Sequence, residues 1–480
     1  MLEHLEPKSV WKYFEQFCAI PHPSGHEREA AKFIVDVAAK LGLPVKSDTT
    51  GNVLIRKDGT GASIGKPPVV LQCHLDMVPQ KNAATTHDFM KDPIRPFIDD
   101  EWVKARGTTL GADNGIGVAL ACAVLASGDI SHPPIEALFT VDEERGMTGA
   151  FGLTDDFLTG RRMINLDTEN EDEICIGCAG GMDLIATLPV RKQAVPAGHI
   201  ALSITIQGLR GGHSGMEIHL GRGNALKLMA RLLSQTTGQF DLPINAISGG
   251  SARNAIPREA FATVTLPKQQ SAEFIAAAAA IEKTIAREIA ADDPNFRLVI
   301  SETALPASII DHESRNRLLA ALIDCPNGVL HMSKEMPGTV ETSNNLAVVT
   351  PDKDSFRIDC MLRSSSEQRL ADLQQHVSDL FSKQGARIAV GGHYPGWQPV
   401  PDSALLAVMK EAYLTVHEKP PEIVAVHAGL ECGIIVGRFS GMETISCGPT
   451  IRFAHSPDEQ MHIPSVERFW QCLVAGLERM

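Results

Sequence analysis

The sequence contains no apolar run long enough to cross a membrane. Its longest runs, Val118–Ala126 and Phe274–Ile281, are far shorter than the roughly 18 residues that a span requires. The first residues also lack the pattern of a secretion signal, because acidic side chains stand where basic ones and then an apolar stretch would be expected. We therefore expect a cytoplasmic protein.

Cysteine is scarce, with ten residues in a chain of 480. This number is too low for a disulfide framework and predicts reduced thiols, as in a cytosolic protein. Cys175 and Cys178 have the spacing of a redox or zinc pair, but no second pair completes a zinc site. We interpret both as structural residues.

Positive charge is in deficit, since 44 Lys and Arg stand against 58 Asp and Glu, a formal net charge of −14. This balance argues against nucleic-acid binding through bulk charge, which needs a basic surface. Hydrophobic residues make up 44% of the chain and exclude disorder as its main state. At roughly 150 residues per domain, the length predicts two or three domains.

The pattern of apolar residues predicts an α/β domain that is interrupted by an inserted domain. In residues 1–185, the short apolar runs Val69–Leu71, Ile135–Val141 and Met163–Leu166 are typical of strands buried on both faces of an α/β sheet. In residues 186–398, His199–Gln207 alternates strictly, which predicts a half-exposed strand of an α+β domain. The α/β pattern returns in residues 399–480.

One helix boundary is predicted in detail near the start of the chain. Ser24 and Glu27 have the spacing of a capping box, in which each side chain hydrogen-bonds the other residue's amide. The following helix should end at Leu41, because Gly42 is a natural stop.

Acidic and imidazole side chains stand at the predicted strand ends. His74, Asp76, Glu143, Glu144 and Asp167 each follow a predicted strand closely, and ligands bind at the carboxyl ends of strands in open α/β sheets. Two further candidates lie elsewhere: Asp113 in a glycine-rich loop and His455 in the returning α/β segment. Such nitrogen and oxygen donors suit zinc or manganese, and one carboxylate can bridge two ions.

These motifs resemble the signature of the M20 family of two-zinc peptidases. The likeness covers His74-Leu-Asp76, Gly111-Ala-Asp113-Asn-Gly, Glu143-Glu144, Asp167 and His455, in order over nearly the whole chain, and extends to Gly211-Gly-His213-Ser-Gly215. The segments Asp76–Lys81, Arg106–Asn114, His427–Gly433, Tyr394–Pro399 and His455–Gln460 are similar to the aminoacyl-histidine dipeptidase branch of that family.

The resemblance implies a fold and a set of metal ligands. The fold would be a three-layer α/β catalytic domain with a zinc-peptidase-like sheet, interrupted by an inserted α+β lid and dimerisation domain. His74 and Asp167 would bind one Zn²⁺, Glu144 and His455 the other, and Asp113 would lie between them, with Mn²⁺ or Co²⁺ as possible substitutes.

The resemblance also implies catalytic roles. Asp76 would accept the other ring N–H of His74 and fix its tautomer. Glu143 would take a proton from the bridging water and deliver it to the leaving amine. His213 would donate a hydrogen bond to the negative oxygen of the tetrahedral intermediate.

Three more residues are candidates for substrate binding. Asn254 and Arg363 match substrate-binding positions of related members, and a guanidinium can grip a carboxylate with two hydrogen bonds. Glu431 could bind the free α-amine or the histidine ring of a substrate.

The resemblance therefore predicts a cytosolic two-zinc homodimeric dipeptidase for unblocked dipeptides, with C-terminal histidine favoured and carnosine-like substrates plausible. The inserted domain would close over the catalytic one during hydrolysis. The alternatives are a related tripeptidase, carboxypeptidase or N-acyl amino acid deacylase, or a metal-binding or scaffolding protein without catalysis. The presence of every ligand and of Glu143 argues against the last of these.

Overall fold

The computed structural model describes Leu2 and residues 4–480, which divide into two compact units. The first unit comprises Met1–Gly177, Trp397–Ala425 and Leu430–Met480, and the second comprises Cys178–Gly396 and Val426–Gly429. The sequence-based boundaries lay at 185/186 and 398/399. No helix in the described part of the chain combines the length and the apolar composition of a membrane span.

The helices and strands of the first segment alternate along the chain. In order they are α1 (Lys8–Cys18), α2 (Arg28–Leu41), β1 (Val45–Ser47), β2 (Val53–Lys57), β3 (Val69–His74), β4 (Phe97–Asp99), β5 (Trp102–Lys104), α3 (Ala112–Ala126), β6 (Ile135–Thr140), α4 (Glu143–Gly146), α5 (Thr148–Gly152), β7 (Arg162–Asn165) and β8 (Glu173–Cys178).

The central segment is richer in strands. It contains β9 (Gly180–Pro189), β10 (Lys192–Gln193), β11 (His199–Gln207), β12 (Gly212–His213), α6 (Ala225–Phe240), β13 (Ile244–Gly249), β14 (Ala255–Ile256), β15 (Ala260–Pro267), α7 (Ser271–Glu288), β16 (Arg297–Thr303), β17 (Ile309–Ile310), α8 (His312–Asp324), β18 (Gly328–Met332), β19 (Val340–Pro351), β20 (Ser355–Ser364), α9 (Glu367–Lys383) and β21 (Arg387–Tyr394).

The last segment returns to alternating helices and strands. Its elements are α10 (Ala404–His417), β22 (Glu422–Val426), α11 (Glu431–Arg438), β23 (Glu443–Ser446), β24 (Ile451–Arg452), β25 (Gln460–His462) and α12 (Ile463–Arg479).

The first unit is built on a mixed eight-stranded sheet with the strand order β1-β2-β6-β3-β7-β23-β8-β22. Its centre is parallel, because β3 pairs with β6 and β7 in parallel and β23 joins β7 in the same sense. Every residue of β3 and β6 is buried, as predicted for strands covered on both faces. The carboxyl ends of β3, β6 and β7 therefore meet at one edge of this sheet.

The second unit is built on a nine-stranded sheet, in which the order β16-β11-β15-β13-β19-β20-β9-β21 is extended by β18 on β19. Strand β11 has the alternating burial that the sequence predicted, with Leu202, Ile204 and Ile206 buried on one face. Helices α6, α7, α8 and α9 contribute apolar residues to the same core, among them Met229, Phe274, Leu318 and Phe381. The predicted fold class, an α/β domain interrupted by an α+β domain, is confirmed.

The predicted capping box at the start of α2 is wrong. The helix does end at Leu41, with Gly42 in the left-handed conformation at a φ of 68°. At the other end, however, the Ser24 hydroxyl donates to the carbonyl of Met77, and Glu27 accepts a hydrogen bond from the amide of Gly25. Contacts with a distant loop thus take the place of the local pairing.

All ten cysteines are buried and none forms a disulfide. The prediction of reduced thiols is confirmed for the whole set, since every cysteine lies in the described part of the chain.

Candidate metal centre

The five predicted metal ligands come together at the carboxyl edge of the first unit's sheet. His74 ends β3, Asp167 follows β7 by two residues, and Glu144 lies in α4, directly after β6. Asp113 lies in the first turn of α3, and His455 lies in the turn between β24 and β25. Because parallel strands end at the same edge, short connections after β3, β6 and β7 bring His74, Glu144 and Asp167 together, whereas Asp113 and His455 come from a helix start and a turn.

Asp113 lies between the two histidines. Its Oδ1 is 3.1 Å from His74 Nε2, and its Oδ2 is 3.1 Å from His455 Nε2. Asp167 Oδ1 is 3.3 Å from His74 Nε2, and Glu144 Oε1 is 2.9 Å from His455 Nε2. The donors therefore form two groups that share Asp113, the arrangement that a bridging carboxylate requires.

These donors fit metal ions better than they fit one another. Glu144 Oε1 and Asp167 Oδ1 are buried and lie close to the histidine rings. The angles of these contacts are nevertheless not those of a hydrogen bond. Burial raises the pKa of Asp167 to about 6, and the negative charges of Asp113 and Glu144 add to the effect. Three crowded carboxylates with two imidazoles are the hard and borderline donors that divalent cations prefer.

Asp76 lies on the opposite side of the His74 ring. Its Oδ1 is 3.4 Å from His74 Nδ1, and its main-chain oxygen is 3.0 Å from the same nitrogen. The carboxylate also accepts hydrogen bonds from the amides of Glu143 (2.9 Å) and Glu144 (3.2 Å). Although burial acts in the opposite direction, the hydrogen bond from His74 lowers the pKa of Asp76 to about 2. Asp76 therefore orients the ring of His74 and the start of α4 together.

Glu143 lies beside this cluster, and its carboxylate is close enough to the ring of His74 and the carboxylate of Glu144 to form a third donor group. Burial raises its pKa well above the ordinary value, with further contributions from the charges of Asp167 and Glu431. A cavity of about 860 Å³ opens next to Glu144 and is lined also by Ser24, Lys81 and His87. Of the five candidate ligands, only Glu144 lines this cavity.

Glu431 is the first residue of α11 and is buried against the sheet of the first unit. Its Oε2 accepts hydrogen bonds from Gln72 Nε2 and Thr140 Oγ1, both at 2.7 Å, whereas its Oε1 has no partner. Burial raises its pKa to about 7, and the charges of Asp167 and Asp76 contribute. One acceptor oxygen near the candidate metal ligands therefore remains unused.

His213, in the second unit, has a defined tautomer. Its Nδ1 accepts hydrogen bonds from the amides of Gly215 (3.2 Å) and Met216 (3.0 Å), so the ring proton is on Nε2. Burial lowers the pKa of His213, and the positive charge of Arg363 lowers it further. The ring is therefore neutral and carries one N–H for donation.

The two other candidates of the second unit differ in exposure. Asn254 is exposed, and its turn is held by Asn345, whose side chain donates to the carbonyls of Arg253 and Ala255. Arg363 is only 4% exposed, on the face of β20 opposite Phe356. Its Nη1 donates to the Tyr394 hydroxyl at 2.6 Å, and its Nε has no partner.

Sequence reasoning did not single out three residues of these sites. Tyr394 contacts Arg363. His427 is buried, with Nε2 2.7 Å from Ser343 Oγ, and burial lowers its pKa to about 3. Glu459 hydrogen-bonds the loop that carries Asp113. Each lies in a segment that carried the family resemblance, but only the folded chain reveals its partners.

An α/β sheet with a cluster of carboxylates and imidazoles at its carboxyl edge is typical of proteins that bind divalent metal ions there. Residues 70–479 match the model of peptidase family M20/M25/M40. The chain belongs to this family.

Two similar proteins extend over the whole chain. The cytosol non-specific dipeptidase of Escherichia coli (strain K12) is 44% identical over 479 residues, which cover 100% of this chain and 99% of that protein. The crystal structure of aminoacylhistidine dipeptidase from Vibrio alginolyticus is also 44% identical, with a TM-score of 0.95 and coverage of 100% and 98%. This chain is thus a homologue of M20 dipeptidases.

A more distant structure shares the fold alone. Aminopeptidase PepT from Bacillus cereus ATCC 10987 is 16% identical, with a TM-score of 0.58, and the alignment covers 99% of this chain and 98% of that one. The fold is therefore shared at low sequence identity.

Proposed function

We propose that this protein is a cytosolic two-metal dipeptidase that hydrolyses unblocked dipeptides and favours those with C-terminal histidine. The observation that carries the proposal is the position of Asp113, with one carboxylate oxygen facing each histidine of the cluster. The full-length likeness to two proteins named as dipeptidases supports the substrate class, and the name of one of them supports the preference for histidine.

The donors divide between two ions, which we propose to be Zn²⁺, with Mn²⁺ or Co²⁺ as substitutes. His74 and Asp167 would hold one ion, Glu144 and His455 the other, and Asp113 both. When bound, the ions polarise the scissile carbonyl and lower the pKa of the attacking water.

Glu143 acts as the general base in this proposal. Its buried carboxylate removes a proton from the attacking water and later delivers it to the leaving amine. Asp76 holds His74 in the tautomer that presents the Nε2 lone pair to the cluster.

Residues of the second unit recognise the substrate in this proposal. His213 donates its Nε2–H to the oxygen that becomes negative in the transition state, a role for which its neutral tautomer is suited. Arg363 binds the C-terminal carboxylate through the nitrogens that Tyr394 leaves free. Asn254 contacts the peptide main chain.

Glu431 completes the recognition of a free dipeptide. We assign its unpartnered Oε1 to the α-amine, because a buried acceptor close to the candidate ligands is suited to an ammonium group. An acylated amine has no such positive charge, and this difference would separate a dipeptidase from a deacylase.

A homodimer formed through the second unit completes the proposal. The sheet of this unit has exposed apolar side chains, among them Phe261 and Val299, which favour association with a second copy. Light scattering at working concentration should give twice the mass of the chain, and a monomer would refute this part.

Hydrolysis of alanyl-histidine and β-alanyl-histidine, each beside its N-acetylated form, and of free tripeptides tests the activity. The assay is performed before chelation, after chelation and after restoration of Zn²⁺. We expect zinc-restored cleavage of the free dipeptides alone. Cleavage of the acetylated compounds would instead indicate a deacylase, cleavage of tripeptides only would indicate a tripeptidase, and no cleavage with two bound metals would refute the substrate class.

A further inference from the structure

Glu459 is a buried carboxylate in the first unit, four residues after His455, and only 2% of its surface is exposed. Both of its oxygens accept hydrogen bonds from consecutive main-chain amides: Leu110 (2.7 Å) and Gly111 (3.0 Å) to Oε2, Ala112 (2.8 Å) and Asp113 (3.2 Å) to Oε1. Four bonds to one carboxylate fix the main chain on which the Asp113 side chain stands.

The loop held in this way has little freedom of its own. Gly111 has a φ of 71°, and a Cβ at this position would lie 3.0 Å from Met77 Sδ. The left-handed backbone therefore requires glycine here, and it directs the next amides toward Glu459. The carboxylate is suited to this place because the first amides of α3 have no partner within the helix.

Glu459 also belongs to the turn that carries His455. Phe453 and His455 both have left-handed backbones, with φ of 57° and 62°, a conformation that residues other than glycine keep only when their surroundings enforce it. Ser456 Oγ donates to the carbonyl of Phe453 (2.8 Å), and the amide of Glu459 donates to that of Ser456 (3.0 Å). The turn is therefore closed by its own hydrogen bonds, and the side chain of Glu459 attaches it to the loop that carries Asp113.

We infer that Glu459 is a positioning residue that connects the two segments of the candidate metal centre and sets the separation of Asp113 from His455. The inference rests on the two-metal site of the proposed function. Glu459 does not contact substrate in this role and is not a ligand, since both of its oxygens are engaged by main-chain amides.

A second glutamate of the same unit provides a matched control. Glu136 is likewise 2% exposed, and its Oε2 accepts hydrogen bonds from the amides of Thr159 and Gly160, both at 2.8 Å. It lies near the start of β6, whereas the candidate ligands follow the end of that strand. Replacing either glutamate by glutamine removes the negative charge that accepts hydrogen bonds from main-chain amides. Of the two glutamates, only Glu459 holds a segment that carries a candidate metal ligand.

The experiment compares the full-length variants Glu459→Gln, Glu459→Asp and Glu136→Gln with the wild type. Zn²⁺ affinity and stoichiometry are measured by competition with a chelator, and kcat and KM for alanyl-histidine are measured at saturating Zn²⁺. In Glu459→Gln the new amide would face main-chain N–H groups, so we expect about 10- to 100-fold weaker Zn²⁺ binding. We expect kcat to fall more than KM changes, and Glu136→Gln to bind Zn²⁺ as the wild type does.

Each other outcome has a defined meaning. Wild-type Zn²⁺ affinity in both Glu459 variants, or an equal loss in Glu136→Gln, would overturn the inference. If only Glu459→Asp folds, the same loss is expected from it, because the shorter side chain cannot reach all four amides. Misfolding of both Glu459 variants beside a folded Glu136→Gln would show a folding role and would also overturn it. A wild type without bound metal would refute the proposed function itself.

Discussion

The two sheets of the molecule carry their functional side chains in different ways. In the first unit, His74 and Asp167 lie at or just beyond the ends of parallel strands, close to each other and to Asp113. In the second unit, Arg363 lies within an antiparallel strand, and its partner Tyr394 ends another. A parallel sheet thus concentrates chemistry at an edge, whereas an antiparallel one offers it on a face. The proposed roles follow this division only in part: the metal ligands and Glu143 lie in the first unit and Arg363 in the second, but His213 of the second unit acts in the chemical step and Glu431 of the first binds the α-amine.

Glu143→Ala should cause the largest loss of activity. It should affect the chemical step at the edge of the first unit's sheet and leave substrate recognition by the second unit intact. We expect kcat for alanyl-histidine to fall on the order of 10³-fold, because the carboxylate that takes the proton from the attacking water in this proposal is removed. Zn²⁺ stoichiometry should stay that of the wild type. Retained turnover, measured by release of free histidine, would show that Glu143 is not the base.

His213→Ala tests whether a residue of the second unit takes part in the chemical step. We expect a loss of kcat of about 10²-fold, since one donor to the developing negative charge is removed, and little change in Zn²⁺ binding. His219→Ala, at an exposed histidine of the same unit, should behave as the wild type. An effect confined to KM would place His213 in recognition only.

Arg363→Lys should separate recognition from chemistry. Lysine keeps the charge but loses the planar fork, so we expect KM to rise about 10-fold with a smaller change in kcat. Arg357→Lys is the control on the same strand, where the exposed guanidinium pairs with Asp359 at 2.8 Å. Equal KM values for the two variants would contradict a role of Arg363 in binding the carboxylate.

Tyr394→Phe should have the smallest effect. It removes one hydrogen bond to Arg363, which corresponds to about 1 kcal/mol and about a 5-fold rise in KM. Steady-state kinetics measure the change in KM, with Tyr13→Phe as the control variant. A change in kcat alone would show that the Tyr394 hydroxyl does more than hold the guanidinium.

The difference between the sheets also determined what the sequence could predict. Buried apolar runs followed at once by His74, Glu144 and Asp167 predict both the strands and a common edge, and the structure brings these residues together. Strict alternation predicted the burial pattern of β11. By contrast, alternation alone does not distinguish Arg363 from an exposed arginine, and only the family resemblance singled it out.

The errors and omissions arise from contacts between distant parts of the chain. Ser24 and Glu27 have the local pattern of a capping box, but the carbonyl of Met77 competes successfully for the hydroxyl. Glu459 accepts hydrogen bonds from four main-chain amides, the first of them that of Leu110. The residue types in the two segments do not predict this contact. Local patterns predict elements, whereas the support of a site is a tertiary property.

The burial of all ten cysteines has a practical consequence for spectroscopy. Because no native thiol reaches solvent, a single cysteine introduced at an exposed position of each unit would give a reactive pair for fluorophores or spin labels, against a silent background. Distances between such probes, recorded with and without an unreactive dipeptide, would test whether the separation of the two units changes when a dipeptide binds.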